Sequence, residues 1–149
     1  SFPTRRSSDL AIGNNANTIT GNGTTTLSGV TVNNGSISQG IIEITATGDV
    51  TSNADNLIAT DTTDGIRNAG QLTLTGGENT NVITGGGNTT ISGDVINSGT
   101  VTQDTITISG NNKLTSNADN ISTTNGISNN AGTIELTGGK LTDNITGTN

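Results

Sequence analysis

Cysteine, methionine, histidine, tryptophan and tyrosine are all missing from these 149 residues, and phenylalanine and proline occur once each, as Phe2 and Pro3. Without His, Cys or Tyr the chain lacks the usual catalytic base, thiol nucleophile and phenolic acid. Zero cysteine leaves the redox compartment open, although it suits a long-lived extracellular chain. Bases are scarce as well. Past the first ten residues only Arg67, Lys113 and Lys140 stand against eleven acids. That balance argues against nucleic-acid binding, which needs clustered Lys and Arg, and against attraction to anionic membrane surfaces. No apolar run reaches eighteen residues, so direct membrane insertion is not expected.

What remains is mostly Thr, Asn, Gly and Ser, with 27% hydrophobic residues. A compact globule fills its core with larger side chains than this chain supplies. Disorder is also disfavoured, because only 11% of residues are charged and aliphatic residues recur in ordered patterns.

The main signal is internal repetition. "ITGNGTTTLSG" from Ile19 returns as "ITGGGNTTISG" from Ile83, and "TSNADN" occurs at Thr51 and Thr115. Both pairs are 64 residues apart, and 20 of 42 positions are identical between 19–60 and 83–124. "NAGQLTLTGG" at Asn68 answers "NAGTIELTGG" at Asn130, and a further "ITG" begins at Ile145. The repeat reading therefore places two long units at 19–82 and 83–144 and the start of a third.

Each unit carries Asn-x-Gly between short aliphatic stretches, as in "VNNGSI", "IRNAGQL", "INSGTV" and "ISNNAGTI". Alternation in "QLTLT", "TITIS" and "TIELT" puts Leu72 with Leu74, Ile106 with Ile108, and Ile134 with Leu136 on one face. Thr takes much of the other face, as suits a strand. No helical period persists. Asn and Gly tolerate the left-handed backbone of a sharp corner, and stacked Asn side chains can form amide ladders between coils. Hairpin turns use the same residues but do not explain the long-range repetition. The expected fold is all-β: a parallel β-helix (solenoid) of about seven coils of roughly twenty residues, roughly three coils per long unit. Right-handed winding is the default for parallel crossovers.

The opening "SFPTRRSSDL" differs in composition from everything after it. It resembles the translation of a common sequencing-adapter oligonucleotide. Residues 1–10 are accordingly expected to be an unstructured artefact ahead of a β-helix at 11–149, itself a piece of a longer gene.

"GNGTTTLSGVTVNNGSI" and "GGGNTTISGDVINSGTV" resemble the Gly/Thr/Asn-rich repeats of bacterial autotransporter passengers and filamentous-haemagglutinin-like adhesins, over 12–149. The resemblance implies a right-handed β-helix, secretion across a bacterial outer membrane and display at the cell surface. It also implies host-cell or extracellular glycan and protein ligands. A stalk or adhesive passenger segment follows, without enzymatic activity. Cut coil ends, with unpaired strand edges, are expected to associate end to end.

Other chemistry competes with this reading. Carboxylate pairs work in glycoside hydrolysis, which makes Asp61 with Asp64 and Asp55 with Asp119 the candidates for a polysaccharide-acting β-helix enzyme. Solvated turn carboxylates are the blander reading of both. "GGENTNVI" at Gly76 and "GGKLTDNI" at Gly138 partly resemble a calcium-binding nonapeptide. Asn79 or Leu141 takes the fourth position and Asn81 or Asp143 the sixth, yet one such turn seldom supplies six to eight oxygen ligands. Thr73 with Thr75, and Thr105 with Thr107, suggest an ice or glycan surface, or merely solvent-facing strands. Sequons at Asn22, Asn34, Asn88, Asn120 and Asn144 follow from composition. No catalytic, cofactor or metal residue is assigned.

Overall fold

The computed structural model describes residues 8–10 and 13–147, built from short strands and two single 3-10 turns. Strands such as Gln71–Leu74 and Lys113–Ser116 alternate half-exposed and buried residues, the period-two pattern that their Leu, Ile and Thr spacing dictates. Every strand pair runs parallel. Hairpins are thereby ruled out among the described residues, and the chain is a parallel solenoid.

Three faces wrap the core. Face one stacks β1 (Ser8–Leu10), β4 (Thr24–Leu27), β7 (Ile41–Ile44), β10 (Ile66–Asn68), β13 (Ile83–Thr84), β16 (Val101–Gln103) and β19 (Ile121–Thr123). Face two stacks β2 (Gly13–Asn15), β5 (Val30–Asn33), β8 (Asp49–Ser52), β11 (Gln71–Leu74), β14 (Asn88–Ile91), β17 (Thr105–Ser109), β20 (Ile127–Asn130) and β22 (Ile145–Thr146). Face three comes in two parts: β3 (Thr18–Thr20), β6 (Ser36–Gln39) and β9 (Leu57–Ala59), then β12 (Gly77–Asn79), β15 (Val95–Asn97), β18 (Lys113–Ser116) and β21 (Thr133–Leu136). Seven strands on face one mark seven coils of about 19 residues. At ~4.8 Å per strand spacing the stack is about 30 Å long.

The core is a narrow aliphatic column. Ile42, Ile66, Ile83, Val101 and Ile121 lie in register along face one, and Leu72, Ile106 and Ile127 along face two. Each such side chain, taken fully out of water, contributes about 1.5–3 kcal/mol before conformational entropy is set against it. Ile134 and Leu136 share a face as expected, but Leu136 stays 41% exposed because no described strand pairs with the far side of β21.

One expectation is corrected here and another is sharpened. The unstructured stretch 1–10 is not unstructured at its end, since Ser8–Leu10 pairs with Thr25–Leu27. Backbone hydrogen bonds from a strand edge need no particular side chains, so β4 can organise this segment whatever its origin. Residues 1–7 lie outside the described residues. The long unit, expected to hold roughly three coils, holds three coils and one further face. Strands β2 to β9 recur as β12 to β19, each 64 residues later, and that step is ten strands. Ten strands are three coils and one face, so each copy is turned onto the next face. β4 lies on face one and its counterpart β14 on face two.

The amide ladders form. Asn15 Nδ2 donates to Asn33 Oδ1 at 2.7 Å and Asn33 Nδ2 to Ser52 Oγ at 3.0 Å. Sixty-four residues on, Asn79 donates to Asn97 at 2.8 Å and Asn97 to Ser116 at 3.0 Å. The reason for Asn-x-Gly differs from the expected one. Gly35, Gly70 and Gly99 do not adopt a left-handed backbone. A Cβ at Gly35, Gly70 or Gly99 would run into the backbone oxygen of Asn17, Gly48 or Asn81 in the coil beneath. Close stacking of coils, rather than turn geometry, excludes a side chain there.

Candidate functional site

The two "TSNADN" copies build the same corner on different faces. Asn53 accepts from the Asp55 N–H and Asn117 from the Asp119 N–H, both at 2.9 Å, and each caps a single 3-10 turn, Ala54–Asn56 or Ala118–Asn120. The next coil folds onto that corner through its Gly-Gly pair. Ala54 N–H donates to Gly76 O and Ala118 N–H to Gly138 O. Asp55 Oδ1 then accepts from the Glu78 N–H, and Asp119 Oδ1 from the Lys140 N–H. Gly77 and Gly139 have positive φ (87° and 78°) and press against Asn53 with Asp55, or Asn117 with Asp119, leaving no space for a Cβ. Asp55 and Asp119 therefore stand at separate corners ten strands apart, each accepting from a backbone N–H.

Asp61 and Asp64 do come together, in the loop before β10. Asp61 Oδ1 accepts from the N–H groups of Asp64 and Thr63, both at 2.8 Å. Those two bonds, Asp64's first, hold the Asp61 carboxyl below its ordinary value. Asp64 pairs with Arg67, whose charged form is favoured in turn. Both acids are thus engaged in forming the loop.

The calcium-like stretches are also structural. Asn79 is the start of a ladder, and Leu141 packs against the core. Asn81 lies where face three breaks. Its Oδ1 accepts from the Ala59 N–H and its Nδ2 donates to the Leu57 carbonyl, both at 2.8 Å. One side-chain amide thereby takes the place of a paired strand. Asp143 Oδ1 accepts from the Thr123 N–H at 3.2 Å in the same manner, but its Oδ2 is buried without a hydrogen-bond partner. No group of three or more His, Cys, Asp or Glu suited to a metal ion occurs among the described residues.

Face two presents the threonines. Thr51, Thr73, Thr90 and Thr107 stand in one row across four coils, although their spacing along the chain is uneven. Thr105 belongs to the neighbouring row, with Asn88, Gln71 and Asp49.

The feature that sequence reasoning missed is an open groove of about 530 Å³ on face three. Its floor carries Ile96, 53% exposed. The outward row Glu78, Ile96, Thr115, Glu135 crosses four strands. Asp55 flanks the Glu78 end, Asp94 lies beside Lys113, and Lys113 bonds Glu135 Oε2 at 2.9 Å. That bond and the opposite charges hold the Glu135 carboxyl below its usual value and favour charged Lys113. Asp94 Oδ1 accepts from the Lys113 N–H at 2.8 Å. The acids are spread over eighty residues, and only the coil-to-coil register brings them together.

Among the described residues no helix is long and apolar enough to cross a membrane. Comparison with family models, curated proteins and solved structures finds no match for the chain.

Proposed function

We propose that the chain is a stalk segment of a secreted bacterial cell-surface adhesin, holding a binding region away from the outer membrane. One observation carries the reading: a 64-residue unit adds ten strands with the same ladders and corners each time. Further units then lengthen the solenoid by about 16 Å each without new design. Right-handed winding, extracellular protein or glycan ligands and end-to-end association belong to the same proposal, which assigns no reaction to the chain. Leu136 and Ile145, 41% and 49% exposed in the last described coils, support the end contact.

The test is the uninterrupted gene. An export signal upstream, with a membrane barrel downstream or a cognate transporter gene beside it, is the expected finding. A gene product that stays inside the cell sinks the proposal. Light scattering at rising concentration checks the end contact, which a strictly monomeric chain removes.

A calcium-binding reading is favoured by one observation, the partnerless Oδ2 of Asp143. It expects millimolar calcium to raise the melting temperature of the native chain and not that of Asp143→Asn. No shift in the native chain eliminates it.

A further inference from the structure

Three Asn-Gly pairs occur in the chain: Asn22–Gly23, Asn34–Gly35 and Asn125–Gly126. Glycine has no Cβ to screen its own nitrogen, so in each pair that nitrogen can attack the side-chain carbonyl carbon of the preceding Asn. This chemistry is one reason Asn counts among the thermolabile residues. In the sequence the three pairs are equivalent. The fold separates them.

At Asn34 both reacting groups are held. The Gly35 N–H donates to the Asn15 carbonyl at 2.7 Å, and the Asn34 N–H donates to the same oxygen at 2.9 Å. Asn34 Nδ2 donates to Asn14 Oδ1 at 2.9 Å. At Asn125 the side chain is tied to another coil. Its Nδ2 donates to Asp104 Oδ1 at 2.6 Å and its N–H to the Asp104 carbonyl at 2.8 Å, while Gly126 is buried. Attack at either pair has to wait for a local opening that breaks these bonds.

Asn22 has none of these restraints. Asn22 and Gly23 are both exposed, on the corner between β3 and β4. Among the described residues nothing hydrogen-bonds the Asn22 side chain. A Cβ on Gly23 would meet only Gln39 Oε1, at 3.9 Å. The backbone bond at this corner runs from the Ile41 N–H to the Gly23 carbonyl, so the Gly23 nitrogen takes no part in it. Sixty-four residues later the same position is Gly86, where a Cβ would meet nothing within 4 Å. The corner therefore forms without Asn22, and the space around it is open in both copies.

We propose that Asn22 is a site of spontaneous deamidation and isomerisation in the folded chain, and that the coil stack protects Asn34 and Asn125. The Gly23 nitrogen bonds to the Asn22 Cγ and the Cγ–Nδ2 bond breaks. The proton lost from the Gly23 nitrogen leaves with the amide as ammonia, and a five-membered imide remains. Water then opens the ring. Addition at Cγ gives an ordinary aspartate, whereas addition at the main-chain carbonyl leaves the chain running through the side chain as isoaspartate. No oxidant or enzyme enters either step.

The two products differ in consequence. Gly40 of the next coil packs on this corner so closely that a Cβ there would lie 2.5 Å from the Asn22 carbonyl oxygen. The isoaspartyl link adds a carbon to the main chain at that contact and disturbs the stacking of the two coils, which the aspartate does not. A long-lived chain gathers this change with age at one corner. The proposal rests on the corner's geometry and not on the stalk role, so either reading can fail alone.

The test incubates the 149-residue chain at mildly alkaline pH, folded and in denaturant, and locates each amide-to-acid change by digestion and fragment mass spectrometry. In the folded chain Asn22 should convert about tenfold faster or more than Asn34 or Asn125, with isoaspartate among its products. In denaturant the three rates should come within about threefold, because no coil then holds any of them. Asn22→Gly installs the residue that the second copy already carries at this corner. It should abolish the fast release of ammonia, with circular dichroism and melting temperature close to native. Conversion of Asn34 or Asn125 as fast as Asn22 in the folded chain overturns the proposal. So does an Asn22 that reacts only in denaturant, or fast ammonia release undiminished in Asn22→Gly. The comparison of folded with denatured chain needs no variant, and none of these outcomes bears on the flanking gene, which tests the stalk role.

Discussion

Residues 13–74 and 77–136 fold strand for strand alike, yet they face different ways. Their inward rows agree: Asn15, Asn33, Ser52, Leu74 in one and Asn79, Asn97, Ser116, Leu136 in the other. Their outward rows do not, since Asn14, Val32, Thr51, Thr73 are neutral while Glu78, Ile96, Thr115, Glu135 border an acidic groove. Inward positions answer to the coil above and below, whereas outward positions answer to solvent and are free to differ. The corner is just as local. "TSNADN" turns the chain from face two to face three in one copy and from face three to face one in the other, with the same caps.

If coil stacking is the shared element, blocking it should cost both copies alike. Gly35→Ala and Gly99→Ala each push a methyl into a backbone oxygen of the coil below. Backbone cannot yield as a flexible side chain does, so each should destabilise the chain by about 3 kcal/mol. Chemical denaturation would measure both. A large loss in one copy with none in the other would break the equivalence, and tolerance of both would restore the turn-geometry explanation.

That distinction marks where sequence reading stopped. Parallel strands, coil number and the Asn ladder were legible because the repeat and the alternation of Leu72 with Leu74 or Ile106 with Ile108 are properties of the string. Why Gly35 and Gly99 must be glycine was misread, because their obstacles lie in another coil, about 18 residues away. The turn from face to face was invisible for a related reason. Sequence counts residues while closure counts strands, and the coil holding Asp61–Asp64 takes 24 residues where the coils on either side take 17. The groove depended on which residues the coil register aligns, Glu78, Ile96, Thr115 and Glu135 at steps of 18, 19 and 20, and could not be assembled from composition.

A smaller effect sharpens the comparison where it is imperfect. Asn81 and Asp143 both receive a strand N–H, but only the amide has an N–H of its own to give back. Asn81→Asp would replace the donor facing the Leu57 carbonyl by a second acceptor. A loss of about 1–3 kcal/mol is expected, the cost of leaving buried polar groups unmatched. Asp143→Asn should act in the opposite sense, by about 1 kcal/mol, because it removes the partnerless buried Oδ2 acceptor and puts an Nδ2 donor at the position from which Asn81 bonds Leu57. Measured together, two changes of the same sign would show that the two sites are not counterparts.

The smallest expected effect is electrostatic and confined to one copy. Lys113 pairs with Glu135, whereas their counterparts Asp49 and Thr73 form no ion pair. Lys113's hydrogen bond, then its charge, lowers the Glu135 carboxyl below 4.5. A depressed folded value means the pair's contribution is present above the unfolded value and lost as pH falls through the folded one. Acidification below pH 4.5 should accordingly speed amide exchange in β18 and β21, while β8 and β11 lack this response. Both side chains are about half exposed, so the effect is modest and ~0.5 M salt should erase most of it. A Glu135 titration midpoint at or above 4.5, followed by carbon-detected NMR, would contradict the pairing. A midpoint below it that rises in Lys113→Gln would place this charge difference on the outward row alone, with the ladders beneath it unaffected.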